Sequence, residues 1–165
     1  MTATLLVKRH STSEVSVSRL HAIAVPVLPL IIALALAGCG RDTVIVYMPE
    51  GGSYTLAEAG DVARSVDVTP LEKVTSEEVS DTRQEYLTDL RGHGADASLV
   101  ADALTRDFPL DTAAVPLLVE AAEVDGHQVW LIVEAWAEDG GTLSHRRLWL
   151  LDRDTLDLVD SMSFR

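Results

Sequence analysis

From Ala22 to Ala37 the chain runs for sixteen residues, AIAVPVLPLIIALALA, without a charged or strongly polar side chain. This run separates a leader from a remainder that has to fold around a core of its own. Sixteen residues fall short of the roughly 20 that a helix needs to cross hydrocarbon, and Pro26 and Pro29 interrupt a helical path. Residues 1–21 carry Lys8, Arg9 and Arg19 against one acid, Glu14. A basic region, a short apolar run and small residues before a cut have the make-up of a secretory signal.

The run closes on Leu36-Ala37-Gly38-Cys39, and Cys39 is the only cysteine in the chain. Here the sequence resembles the bacterial lipoprotein signal, whose lipobox is a Leu, two small residues and a Cys. The resemblance covers residues 17–39. It implies that a diacylglyceryl group is attached to the Cys39 thiol, that the chain is cut before it, and that the new amine is acylated. Two acyl chains hold a protein at a bilayer where one binds marginally, because each buried CH₂ contributes about 0.8 kcal/mol. The expected organisation is a cleaved signal over 1–38, a lipidated Cys with a short tether over 39–42, and one domain over 43–165. The tether Gly40-Arg41-Asp42 is no Ser/Gly-rich stalk, so the domain is expected close to the membrane.

Charge narrows the partners. The whole chain carries −13; cleavage before Cys39 leaves 10 basic and 25 acidic residues, a net charge of −15. Nucleic acid is excluded as a partner, because binding there rests on Lys and Arg neutralising phosphates. Anionic headgroups repel a domain of that net charge, so lipid rather than protein must hold it at the membrane. A single cysteine excludes an intrachain disulfide and any multi-cysteine metal site.

Thr43–Met48 reads as a β-branched strand. Thr55 and Glu58 have capping-box spacing for a short helix, interrupted at Gly60-Asp61, and residues 66–70 read as extended chain. A second box, Thr75 with Glu78, opens a helix whose Val79, Tyr86, Leu87 and Leu90 recur with helical period and which stops at Gly92. Another helix is expected over 97–106, capped by Asp96, and the tight Gly92-His93-Gly94 linker makes the two neighbours.

The last third reads as a meander with strands over 113–124, 127–138, 143–151 and 156–164. Asp125-Gly126 and Asp139-Gly140-Gly141 are hairpin signals, because Asp and Gly accept positive φ. A two-residue loop in the second hairpin makes paired residue numbers sum to an odd value. Val129, Leu131, Val133 and Ala135 then share a face with Leu148 and Leu150, while Trp130, Ile132, Glu134 and Trp136 lie beside His145, Arg147, Trp149 and Leu151.

That second face carries all three tryptophans. Trp130, Trp136 and Trp149 with His145 and Arg147 form either a ligand or partner face, or a second core layer under the helices. The histidines 93, 127 and 145 have no metal-ligand spacing, Asp152, Asp154 and Asp157 lack the glycine and terminal Glu of a calcium loop, and no nucleophile elbow occurs. No metal and no cofactor are expected.

The expected fold class is α+β, two short helices followed by an antiparallel meander of about four strands. By element order alone this is similar to cystatin-like and nuclear-transport-factor-like folds, in which a curved sheet wraps a helix. The expected function is a non-catalytic binding or interaction module, lipid-anchored on the outer face of the bacterial cytoplasmic membrane. The alternative is a small extracytoplasmic hydrolase using carboxylates or His145.

Overall fold

Two strand segments, AVPLLVEAAEV and VWLIVEAW, are apolar at nearly every position, the pattern of strands buried on both faces. The computed structural model describes residues 45–108, 113–138 and 141–165, all within one unit over 41–165, and there these segments are the two central strands of a mixed sheet. Cys39, the signal over 1–38 and the tether over 39–42 lie outside the described residues.

In chain order the elements are β1 (Val46–Met48), β2 (Ser53–Tyr54), α1 (Leu56–Ser65), a 3₁₀ turn at Thr69–Leu71, α2 (Val79–Arg91), α3 (Ala95–Asp107), β3 (Ala114–Val124), β4 (His127–Trp136), β5 (His145–Asp152) and β6 (Leu158–Phe164). The sheet order is β1-β3-β4-β5-β6, with β2 also on β3. The fold class is α+β. It is not a meander alone: β3 to β6 form the antiparallel part, but β1 and β2 add parallel to the free side of β3.

β1 and β2 are one edge strand broken by an insertion. Residues 49–52 oppose only Ala121 and Ala122, since Met48 pairs with Glu120 and Ser53 with Glu123. Gly51 makes the bulge possible. Its N–H donates to the Ala121 carbonyl at 2.8 Å, and a Cβ there would lie 2.3 Å from Glu120 Oε1.

Helices cover both faces. On one, Tyr86, Leu87 and Leu90 of α2 and Val100 and Leu104 of α3 pack on Val115, Val119, Trp130, Ile132 and Leu151. On the other, Ala59 and Ala63 of α1 pack on Leu118, Leu131, Val133, Leu148 and Leu150. This departs from the cystatin-like analogy, where one face of the sheet holds the helix.

There are three α-helices among the described residues rather than two. α1 runs through Gly60-Asp61 because its full Thr55–Glu58 capping box and the burial of Ala59 and Ala63 outweigh a cost of about 1 kcal/mol for a mid-helix glycine. α2 begins at Val79, because Thr75–Glu78 closes as a separate turn: Glu78 Oε2 accepts from the Thr75 N–H and hydroxyl. The N-cap of α3 is Gly94, at φ 122°, with Asp96 in the first turn. Of residues 66–70, expected extended, Thr69 and Pro70 instead open the 3₁₀ turn that ends at Leu71, with Pro70 where a missing N–H costs nothing.

The meander keeps the expected pairing, although Ala135 packs in the cluster under α2 and α3 rather than with Leu131 and Val133, and the turn residues Asp139 and Gly140 lie outside the described residues. Asp125 and Gly126 have φ of 48° and 84°, as a type I′ hairpin requires. Trp136 pairs with His145, Glu134 with Arg147, Val133 with Leu148 and Ile132 with Trp149, the expected odd-sum register.

Gly60 and Gly51 give opposite expectations. A Cβ on Gly60 would meet Met162 and Phe164 at 3.5 and 3.6 Å, ordinary contact distances. Gly60→Ala is therefore expected to raise stability by about 0.5–1 kcal/mol, and Gly51→Ala to lower it, both read from urea midpoints. A destabilised Gly60→Ala would show that α1 sits tighter on β6 than described.

Candidate functional site

An acid within each of the two apolar strand runs, Glu120 and Glu134, has to find partners inside the protein. Glu134 lies on the face covered by α2 and α3, and Arg83 of α2 reaches it. Arg83 is 4 % exposed and Glu134 1 %. Arg83 Nη1 donates to Glu134 Oε1 at 2.7 Å and to the Ala114 carbonyl at 3.0 Å. Its Nη2 donates to the carbonyls of Leu104 and Phe108 at 3.2 and 3.3 Å, groups that the end of α3 leaves without helical partners. Glu134 Oε2 accepts from Trp149 Nε1 at 2.7 Å. One ion pair thus joins α2, the end of α3, and β3, β4 and β5.

Above this pair four of the sequence-selected residues come together. The Arg147 guanidinium lies over the rings of Trp136 and Trp149, at 4.8 and 5.1 Å from their centroids. His145 packs against Trp136 at 5.1 Å, and Phe108 against Trp149 at 4.7 Å. Trp136 Nε1 donates to the Arg146 carbonyl at 3.2 Å. His145, Arg147 and Trp149 are half-buried, whereas Trp136 is 9 % exposed. The corner is an aromatic seat that holds a guanidinium in one orientation.

Trp130 is separate. It lies six residues up β4, roughly 20 Å away, is 3 % exposed, and belongs to the core layer beneath the helices. Tyr47 stacks on it with centroids 6.2 Å apart, Arg153 lies over it at 5.5 Å, and His93 packs on Tyr47 at 5.2 Å. Burial, with the Asp96 charge adding, pushes the Tyr47 phenol up.

The hydrolase reading needs His145 beside an acid. Among the described residues the histidine within ion-pair distance of a carboxylate is His93, 3.9 Å from Asp89, and the neighbour of His145 is an indole ring. Asp152 is a turn-former: its Oδ1 accepts from the N–H groups of Thr155 and Asp154, which holds its carboxyl below the usual range. Among the described residues no group of three or more His, Cys, Asp or Glu is arranged to hold a metal ion. No helix among them is long and apolar enough to cross a membrane.

Sequence reading missed Arg83. The signal was present, since Arg83 falls in the apolar stripe formed by Val79, Tyr86, Leu87 and Leu90. It also missed Glu120, whose Oε1 accepts from the Gly52 N–H and the Tyr54 hydroxyl, both at 2.8 Å. Burial, and next the Glu120 hydrogen bond, push Tyr54 up to about 12.

Two outcomes follow. Arg83→Met leaves Glu134 buried and unpaired and is expected to cost about 3–5 kcal/mol; adding Glu134→Met should recover part of it, and additive losses in urea unfolding would show the pair uncoupled. Tyr54 titrates higher in the fold than its ordinary 10.0, so its contribution is present below that pH and fades as pH rises to about 12. Tyr54→Phe should lack this alkaline component, and identical stability profiles across that window would contradict the assignment.

No protein-family model matches the chain, and no curated protein or solved structure matches it either.

Proposed function

We propose that the protein is a non-catalytic binding module, lipid-anchored through Cys39 and displayed on the outer face of a bacterial cytoplasmic membrane. The observation that carries this reading is Leu36-Ala37-Gly38-Cys39, a lone cysteine at the close of a charge-free run. A short distance to the domain supports it: Ile45, six residues after Cys39, is 1 % exposed and its N–H donates to Asp89 at 3.3 Å. The binding role is supported by how the acids are used. Glu134 and Glu120, both buried, are engaged by Arg83, Trp149, Gly52 and Tyr54, roles that hold the fold together. The surface best suited to a ligand or partner is the Trp136–His145–Arg147–Trp149 corner.

Detergent phase partition with intact mass tests the anchor, on wild type and Cys39→Ala expressed in a bacterial host. Wild type should enter the detergent phase with an acyl mass increment and without residues 1–38, and Cys39→Ala should retain its precursor. If both keep residues 1–38 and partition alike, the reading fails.

A further inference from the structure

We propose that the Trp136–His145–Arg147–Trp149 corner faces the bilayer and that Arg147 contacts the phosphate of an anionic phospholipid headgroup, an inference that rests on lipidation of Cys39. Tether length and strand direction come first. Six residues from Cys39 to Ile45 span at most about 20 Å, so the bilayer surface lies within that distance of Ile45. β1 runs from Val46, opposite Leu118, toward Met48, opposite Glu120. The sheet end formed by Ala114, Trp136 and His145 lies four positions before Leu118, the partner of Val46, about 13 Å along the sheet and so within the reach of the tether.

Charge along the strands agrees with that direction. Around the opposite end, at the two hairpin turns and the bulge, stand Glu50, Glu123, Asp125, Asp152, Asp154 and Asp157, with Arg153 the one arginine among them. The end nearer the tether carries the run His145-Arg146-Arg147 on β5 and Arg165 after β6, with Glu138 against Arg165 and Asp67 near Arg146. An anionic surface therefore repels the first end more than the second.

Among the described residues Arg147 is the least engaged arginine of that end. Arg165 pairs with Glu138, and Arg146 Nε donates to the Val66 carbonyl at 2.7 Å. Arg147 has neither an ion pair nor a hydrogen bond among the described residues; two indole rings fix its guanidinium with its N–H fork available for phosphate oxygens. The half-buried Trp149 beside it suits headgroup depth, where indole rings concentrate. The net charge of −15 opposes binding from solution, but the tether raises the local concentration to about the millimolar range, where a weak contact suffices to orient the domain.

The test uses full-length lipidated protein in vesicles of phosphatidylcholine, or of equimolar phosphatidylcholine and phosphatidylglycerol, bearing a headgroup-attached energy acceptor. Because lipidation consumes the Cys39 thiol, Ser163→Cys or Asp154→Cys places one labelling site at either end of the sheet. Transfer from position 163 should exceed that from 154, and more so on anionic vesicles. Arg147→Gln should reduce that anionic preference roughly five-fold, the worth of one arginine at such a surface, and Arg147→Lys should restore most of it. Equal transfer from the two positions in lipidated protein overturns the orientation alone, and an unchanged preference in Arg147→Gln overturns the role of that residue. Intact mass without an acyl group on Cys39 overturns the anchor and the orientation together.

Discussion

The buried pair of Arg83 and Glu134 is the constraint on which the packing of this domain turns. Two charges removed from water carry a desolvation cost that their attraction repays only with good geometry and further hydrogen bonds. Arg83 meets that condition by also serving three carbonyls, at Ala114, Leu104 and Phe108. Those oxygens belong to the start of β3 and the end of α3, so few placements of α2 let one guanidinium reach them all. Apolar residues of similar volume would fill the space, but they would not define where α3 stops relative to the sheet.

The same pair governs the sheet. Glu134 has to face α2, and strand alternation then sends Trp130, Ile132 and Trp136 to that side. Across the sheet the partner residues inherit the choice, so Trp149 and Arg147 stand on it too. Trp149 closes the network by donating to Glu134, and its ring then forms one wall of the seat for Arg147. The half-buried corner is thus positioned by a buried ion pair rather than by loops.

What could be read from the residues was local. Turn chemistry at Asp125-Gly126 gave the β3–β4 hairpin and the parity of the second hairpin gave the register of β4 on β5, because neighbouring strands of a meander leave few alternatives. The parallel pairing of β1 with β3 was not legible. Val46 and Leu118 are 72 positions apart, and no periodicity within either segment reports such a partner. α1 was misjudged because a glycine and an acid look like a helix stop, while the capping box and the sheet beneath decide otherwise. The site was half legible: the four residues of the corner share a face by parity, whereas Arg83 beneath them shows only as a charge on an apolar stripe.

β1 lies at the edge of the sheet with its axis parallel to that of β3, paired from Val46 opposite Leu118 to Met48 opposite Glu120. A load drawn along that axis falls on the β1–β3 hydrogen bonds together, in shear, rather than opening them one after another. The bulge at 49–52 and the return of the edge strand as β2 then add a second set of bonds to the same neighbour, downstream of the first. An edge strand doubled in this way has the geometry in which a sheet resists being pulled apart.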